Sequence, residues 1–245
     1  MLGRFPSLQY TVLAYAALYS GIGYYHFPST ALASTDAVQH GQSLRQKIPG
    51  LTDGATNYLE VMRHIMQDFQ NPDTRKNLLA SIQEVNPSII SVELNSLIRP
   101  RRVIIGHKAG ERVFALSLEQ ESDGLRRFCA HLLALYQTPP KLSLVFEEPE
   151  NAIFPGALSV LAEEFIAAPR ENRGQVILTT YNPVFLDSFD VDNLRAVEMR
   201  DGKTVVGRVS KEQCQAVKEK LLSTGDLLTV DRVRLDEQVK PQQSA

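Results

Sequence analysis

The sequence predicts an α/β fold in which a mainly parallel sheet is flanked by helices and followed by a C-terminal β-hairpin and a helix. Two short apolar segments, 142–146 and 175–179, are separated by a helical segment, 156–168, and this alternation is typical of parallel sheets buried on both faces. Further along, Asp201-Gly202 joins two alternating segments, which indicates a hairpin. With 43% hydrophobic residues in 245, the chain can bury a sizeable core.

The remaining elements follow from the same periodicities. Helices are predicted where apolar residues recur three or four positions apart, and strands where they alternate or cluster with β-branched residues. The predicted helices are 8–19, 58–69, 74–84, 124–136, 156–168 and 211–222, with a short one after 179. The predicted strands are 22–27, 89–98, 102–106, 112–118, 142–146, 175–179, 194–199 and 204–209. We expect three regions: an incomplete N-terminal lobe, 1–110; the α/β core, 111–235; and a flexible tail, 236–245.

The overall charge names no partner. A formal net charge of −2 gives the chain no global attraction to nucleic acid or to an anionic membrane. The basic run Arg99-Pro100-Arg101-Arg102 is a candidate local contact with DNA, although a solvated strand edge is the simpler interpretation. The five histidines lack the spacing of a helical metal site, so we expect no metal cage.

The cysteines and the N-terminal segment bear on the compartment. Cys129 and Cys214 form neither a closely spaced pair nor a disulfide framework, which fits a reducing compartment and predicts a cytoplasmic protein. The uncharged stretch 9–25 is too short and too polar to span a membrane. The pattern Ala31-Leu32-Ala33 imitates a secretory cleavage site, so a secreted protein beginning at Ser34 is the alternative.

Acidic residues directly follow the apolar strand 142–146. The sequence there is Glu147-Glu148-Pro149-Glu150, and the carboxyl end of a buried strand in an α/β sheet is where ligands bind. One carboxylate can hold Mg²⁺ through water, while its neighbour orients or deprotonates the water that attacks a γ-phosphate. Taken alone, the motif also fits a solvated acidic turn.

Two further motifs point to phosphate chemistry. Ser122-Asp123-Gly124 opens the helix 124–136, and a serine hydroxyl, a glycine and free N–H groups at a helix N-terminus suit a phosphate, although an ordinary capped helix is the plainer explanation. The strand ending at 179 continues into Thr179-Thr180-Tyr181-Asn182-Pro183, a polar turn that lies beside the acidic residues if the two strands are neighbours.

In their order along the chain, these motifs resemble the predicted ATPases of the ABC-like class, which are related to the RecF and SMC heads and often classed as AAA-family ATPases. The resemblance is close over residues 110–210 and looser at 25–28, 53–59 and 85–87. It implies a P-loop NTPase-like fold, that of part of an ABC ATPase head, with ATP and Mg²⁺ as cofactors.

The resemblance also implies roles for the residues at the helix start. Ser122 and Gly124 correspond to the signature loop, which in this family contacts the γ-phosphate of ATP held by a partner subunit, and Arg127 would support that loop. A homo- or heterodimeric head partner is therefore expected.

The acidic residues and the polar turn receive roles in the same way. Glu147 would be the acid associated with Mg²⁺, acting through water, and Glu148 the general base. Tyr181 occupies the position of the switch residue, which is usually histidine in the family.

The chain also departs from the family's pattern. It contains no Gly-x-x-x-x-Gly-Lys-Ser/Thr segment to cradle phosphates, and Ile153-Phe154-Pro155 replaces the usual Leu-His-Pro. We therefore expect a truncated form, whether a gene fragment, a degenerate copy or one half of a split ATPase. Two hypotheses stand: an ATPase head that hydrolyses ATP once a P-loop is supplied from a missing N-terminal region or a partner chain, and an inactive nucleotide-dependent interaction module.

Overall fold

The computed structural model describes residues 21–28, 32, 50–68, 72–95 and 102–236. The predicted helix 8–19, the basic residues at 99 and 101 and nearly all of the predicted tail lie outside the described residues. Two compact units make up the chain, Met1–Thr179 and Thr180–Ala245. The predicted regional boundary after residue 110 stays a prediction.

A three-stranded parallel sheet forms the centre of the first unit. Its strands are β1 (Ile22–Tyr25), β5 (Ser143–Glu147) and β6 (Gln175–Thr179), in the order β1-β5-β6. The register places Tyr25 beside Phe146, and Glu147 beside Thr179. Because all three strands run the same way, their carboxyl ends share one edge of the sheet. This confirms the predicted α/β class.

One face of the parallel sheet is covered by two helices, α3 (Asp123–Tyr136) and α4 (Pro155–Arg170). Phe146 of β5 lies under both of them: its ring centroid is 5.5 Å from that of His131 in α3 and 4.8 Å from that of Phe165 in α4. Nearly every residue of α3 after its first turn is buried, which explains the long apolar run of this helix.

The rest of the first unit consists of two helices, which pack against α3, and an antiparallel sheet. Helices α1 (Tyr58–Gln67) and α2 (Pro72–Val85) precede an antiparallel sheet of β2 (Ile89–Asn95), β3 (Arg102–Ala109) and β4 (Arg112–Ser117). A single 3-10 turn, Leu118–Gln120, then leads from β4 to the start of α3. The side chain of Gln137, which follows α3, accepts from the Leu51 amide and donates to the Tyr25 hydroxyl, so it joins three segments that are distant in sequence.

The second unit contains the predicted hairpin, β7 (Ala196–Arg200) and β8 (Lys203–Gly207), with the helices α5 (Pro183–Leu186), α6 (Lys211–Lys218) and α7 (Asp226–Thr229). Its small core contains Val191, Val209 and Leu227. Helix α6 was predicted to reach 222 but ends four residues earlier. Lys220 has φ +60° and the Leu221 amide donates back to the Ala216 carbonyl, so the backbone closes the helix without a glycine to signal its end.

In the part of the chain that the structure describes, no helix has the length and apolar character needed to cross a membrane.

Candidate functional site

The carboxyl edge of the parallel sheet brings together residues that are far apart in sequence. β5 delivers Glu147 and Glu148 to this edge, and Thr179 at the end of β6 pairs with Glu147. β5 and β6 are neighbours in the sheet, a condition that the sequence alone left open. β1 lies on the other side of β5 and adds Tyr24 and His26, which had no predicted role.

Glu147 presents a half-exposed carboxylate at this edge. Its side chain is 50% exposed, and its Oε2 accepts a hydrogen bond from the Tyr24 hydroxyl and lies 3.9 Å from Nδ1 of His26. The hydrogen bond to the carboxylate raises the pKa of Tyr24, because it stabilises the protonated phenol. Tyr24 therefore fixes one oxygen of Glu147 while the side chain stays open to solvent.

Glu148 is held in an unusual backbone conformation. Its φ of +44° lies in the left-handed region, which costs a non-glycine residue about 1 kcal/mol or more. Its amide donates to the main-chain oxygen of Thr179 at 3.1 Å, and its Oε2 accepts from Nδ2 of Asn151 at 2.6 Å. Residues held in such strained conformations cluster at active sites. Here the left-handed conformation of Glu148 turns the chain sharply at the end of β5.

The donor set at this edge suits Mg²⁺ shared with a phosphate ligand. Mg²⁺ prefers carboxylate and phosphate oxygens and is usually bound by one or two carboxylates together with substrate phosphates. Glu147 and Glu148 supply two such side chains. Among the described residues no group of three or more His, Cys, Asp or Glu side chains forms a protein cage for a metal.

The start of α3 is capped by Ser122. Its Oγ accepts from the Leu125 amide at 3.3 Å, and its main-chain oxygen accepts from the Arg126 amide at 3.0 Å. The hydroxyl hydrogen of Ser122 remains available as a donor, because the cap uses only an oxygen lone pair. Together with the positive end of the helix dipole, this makes the first turn of α3 attractive to an anion.

Gly124 lets α3 approach the turn that follows the acidic residues. A Cβ built at this position would lie 2.9 Å from the main-chain oxygen of Ala152, a contact that real Cβ atoms essentially never make. Ala152 itself has φ +62°, so the turn is tightly bent where the helix meets it. The glycine is thus required by close packing of two backbones.

Arg127 connects the helix to the same turn. Its Nη1 lies 3.5 Å from the main-chain oxygen of Asn151, and its Nε lies 3.4 Å from a carboxylate oxygen of Asp123. Since the side chain of Asn151 donates to Glu148, a line of contacts runs from Arg127 through Asn151 to Glu148. The structure therefore brings together five of the six predicted site residues around one turn.

The sixth predicted residue, Tyr181, belongs to the second unit, and its side chain is 80% exposed. Its role stays a prediction.

His131, one turn after Arg127 on α3, is buried beneath the site. Its Nδ1 hydrogen bonds to the main-chain oxygen of Arg127 at 2.7 Å, and its ring lies among those of Phe27, Phe146 and Phe165. Burial lowers the pKa of His131 from 6.5 to about 4, because the charged ring would lose its hydration. At neutral pH it is an uncharged part of the core.

A parallel sheet with consecutive carboxylates at its carboxyl edge, together with a serine-capped helix start, suits the binding of a phosphate-bearing ligand. Residues 19–187 match the family model described as "AAA domain, putative AbiEii toxin, Type IV TA system". The chain belongs to this AAA-domain family, whose class is nucleotide-dependent ATPases. No curated protein matches it.

Solved structures with similar folds include SMC ATPase heads. One is a chain described under ATP-driven dimerization and DNA stimulated activation of SMC ATPases, with 19% identity, a TM-score of 0.44 and coverage of 62% of this chain and 92% of that one. Another is the Smc head with an extended coiled coil, bound to the C-terminal domain of ScpA, from Pyrococcus furiosus, with 18% identity, a TM-score of 0.46 and coverage of 68% and 41%. A third is the Smc head domain with a coiled coil and joint from Pyrococcus yayanosii, with 19% identity, a TM-score of 0.43 and coverage of 68% of this chain and 32% of that one. The chain thus spans less than half of the last two.

Proposed function

We propose that this chain is the part of an ABC-type ATPase head that carries the acidic and signature residues, and that it hydrolyses ATP with Mg²⁺ when a P-loop is supplied by a preceding segment or a partner chain. One observation carries the proposal: Glu148, the second of two consecutive carboxylates at the end of the central strand, accepts from Asn151 in the turn that Gly124 and Arg127 of the Ser122-capped helix contact.

Glu148 is the proposed general base. Asn151 and the amide contact to Thr179 hold its carboxylate and backbone in place, which limits the motion that would misdirect a water molecule. The carboxylate takes a proton from water as the water oxygen bonds to the γ-phosphorus, and the bond from that phosphorus to the bridging oxygen breaks to release ADP. Glu147, open to solvent, would hold Mg²⁺ through water.

The start of α3 is the proposed contact with ATP on a dimeric head partner, homomeric or heteromeric. Ser122 would donate its hydroxyl hydrogen to a γ-phosphate oxygen, and Gly124 would let the helix approach both its own turn and the ligand. Arg127 would support this end of the helix through Asp123 and the Asn151 carbonyl.

Tyr181 would stand at the switch position, two residues after β6. A tyrosine there can donate a hydrogen bond to phosphate, but it lacks the second ring nitrogen through which a neighbouring group can orient a histidine. This difference favours a second candidate function, an inactive module whose interactions depend on bound nucleotide.

Contact with DNA through the basic run that ends at Arg102 also stays a prediction.

The decisive experiment compares Glu148→Gln with Glu111→Gln in the ATPase completed by the polypeptide that supplies the P-loop. Glu111 is an exposed residue between β3 and β4, so its variant makes the same chemical change away from the site. We expect Glu148→Gln to lower kcat by at least about 100-fold, the usual contribution of a general base, while ATP binding is retained. Glu111→Gln should leave both unchanged.

Turnover by Glu148→Gln at close to the wild-type rate would remove the general-base assignment. A wild-type complex that binds ATP and forms its dimer without hydrolysing it would instead support the second candidate. Nucleotide retention and phosphate release decide the first result, and the second also needs the ATP-dependent oligomeric state from size-exclusion chromatography with light scattering.

A further inference from the structure

His107 is a buried polar residue outside the sheet edge that carries the acidic site. It lies on β3 between β2 and β4, and its ring stacks on that of Phe114 with centroids 5.1 Å apart and planes 9° from parallel. Its side chain is only 6% exposed. A polar ring buried to this degree requires hydrogen-bond partners, and one partner of His107 lies next to the cap of α3.

Both ring nitrogens of His107 have partners. Nε2 lies 2.8 Å from Oε1 of Glu121, whose side chain is 8% exposed, and Nδ1 lies 3.0 Å from Oγ of Ser88. The Ser88 hydroxyl also donates to Oδ1 of Asn86 at 2.8 Å. Asn86, Ser88, His107 and Glu121 thus form one continuous line of hydrogen bonds.

This line ends one residue before the cap of α3. Glu121 follows the 3-10 turn Leu118–Gln120, to which its amide is bonded through the Leu118 carbonyl at 3.2 Å, and the next residue is Ser122. The side chain of Glu121 therefore ties the residue just before the cap of α3 to β3 of the antiparallel sheet.

We propose that His107 is a positioning residue: through Glu121 it fixes the backbone from which Ser122 presents its hydroxyl. The functional part of this inference rests on the proposed role of Ser122, whereas the anchoring itself does not. A buried charged or strongly polar pair holds geometry well because either partner left alone would be buried without compensation. The pair therefore restrains the loop rather than merely filling space.

The anchoring can be tested without any nucleotide. The Leu125 amide donates to Oγ of Ser122, so its hydrogen-exchange rate reports directly on whether the serine stays in place. The test variant is the double substitution His107→Phe with Glu121→Leu, which keeps an aromatic ring against Phe114 and leaves neither partner buried alone. Glu121→Gln alone is the milder second variant.

The control is Tyr136→Phe, which removes a buried hydrogen bond to Glu164 at the other end of α3. We expect exchange at Leu125 to be faster by about fivefold or more in the double variant, the change that loss of a helix cap produces, and unchanged in the control. Glu121→Gln should give a smaller change in the same direction. Unchanged exchange at Leu125 in both test variants would overturn the anchoring.

The effect of His107 on catalysis is measured in the completed ATPase. The double variant should lower kcat by about tenfold or more with little change in KM for ATP, since a misplaced Ser122 affects the reacting geometry more than the binding of ATP by the P-loop. Faster exchange with an unaltered kcat would overturn the positioning role. If the wild-type complex shows no turnover, the proposed function fails, and the exchange rates still decide whether His107 anchors Ser122.

Discussion

His131 gives a prediction whose size follows from the structure. The ring is neutral in the folded protein down to a pKa of about 4, whereas in the unfolded chain it takes up a proton near its ordinary value of 6.5. Between these two values the unfolded state binds more protons than the folded state, so the free energy of unfolding falls as the pH falls. The effect begins near pH 6.5 and is complete below about pH 4.

The full difference in pKa corresponds to about 3 kcal/mol, and at pH 5 about 2 kcal/mol of it has already been lost relative to pH 8. The test is His131→Phe, which places a ring without a titratable group among the three phenylalanines that surround His131. Other titrating groups contribute to both proteins, so they cancel when the two are compared.

Urea unfolding at pH 8 and pH 5 gives the required free energies. The wild-type protein should lose about 2 kcal/mol more than His131→Phe between these two pH values, the linkage derived for the buried ring. His64→Gln, which keeps His131, serves as the control and should retain this extra loss. Equal losses in the wild type and His131→Phe, or a larger loss in the variant, would show that the histidine is not held neutral by burial.

Two further predictions concern the turn and the sheet edge. In urea unfolding, Gly124→Ala should destabilise the protein by up to about 2 kcal/mol, because the clash with the Ala152 carbonyl outweighs the roughly 1 kcal/mol that alanine gains in a helix. The control is Gly156→Ala, at the same position of α4. Its new Cβ meets only a side chain, so this variant should be neutral or stabilising. Glu147→Gln should lower the pKa of Tyr24 toward 10, because the carboxylate that raises this pKa is removed. NMR titration of ¹³Cζ-labelled tyrosine measures the change, and a Tyr24 titration curve that does not move would contradict the prediction.

The local part of the fold could be predicted because local signals determine it. The structure confirms the predicted bounds 175–179 for β6, and α3 begins one residue before the prediction, at the residue that follows its serine cap. The placement of Glu147 and Glu148 at the carboxyl end of a buried strand needed only the apolar run before them and the rule that such ends meet at one edge.

The rest depends on pairings that no local pattern contains. Tyr24 and His26 join the site because β1 pairs with β5, more than 100 residues later in the chain, and nothing in the periodicity of either strand selects the other. His107 and Glu121 look like ordinary polar residues in sequence, and only the fold shows that both are buried against each other. The left-handed backbone conformation of Glu148 also could not be predicted from the sequence, because position 148 is not a glycine or an asparagine, the residues that usually adopt it.

The turn formed by residues 148–152 joins two functions that would act on different ATP molecules. Glu148 at its start would serve the nucleotide bound to its own head, whereas the helix that packs against Ala152 would present Ser122 to the nucleotide of the partner. Asn151 donates to the Glu148 carboxylate at 2.6 Å, and its main-chain oxygen lies 3.5 Å from Nη1 of Arg127, so this one residue contacts both the proposed base and the helix. If both proposed roles hold, the close packing of the helix on this turn at Gly124 would couple the two sites, because a looser contact would let the two ends of the turn move independently.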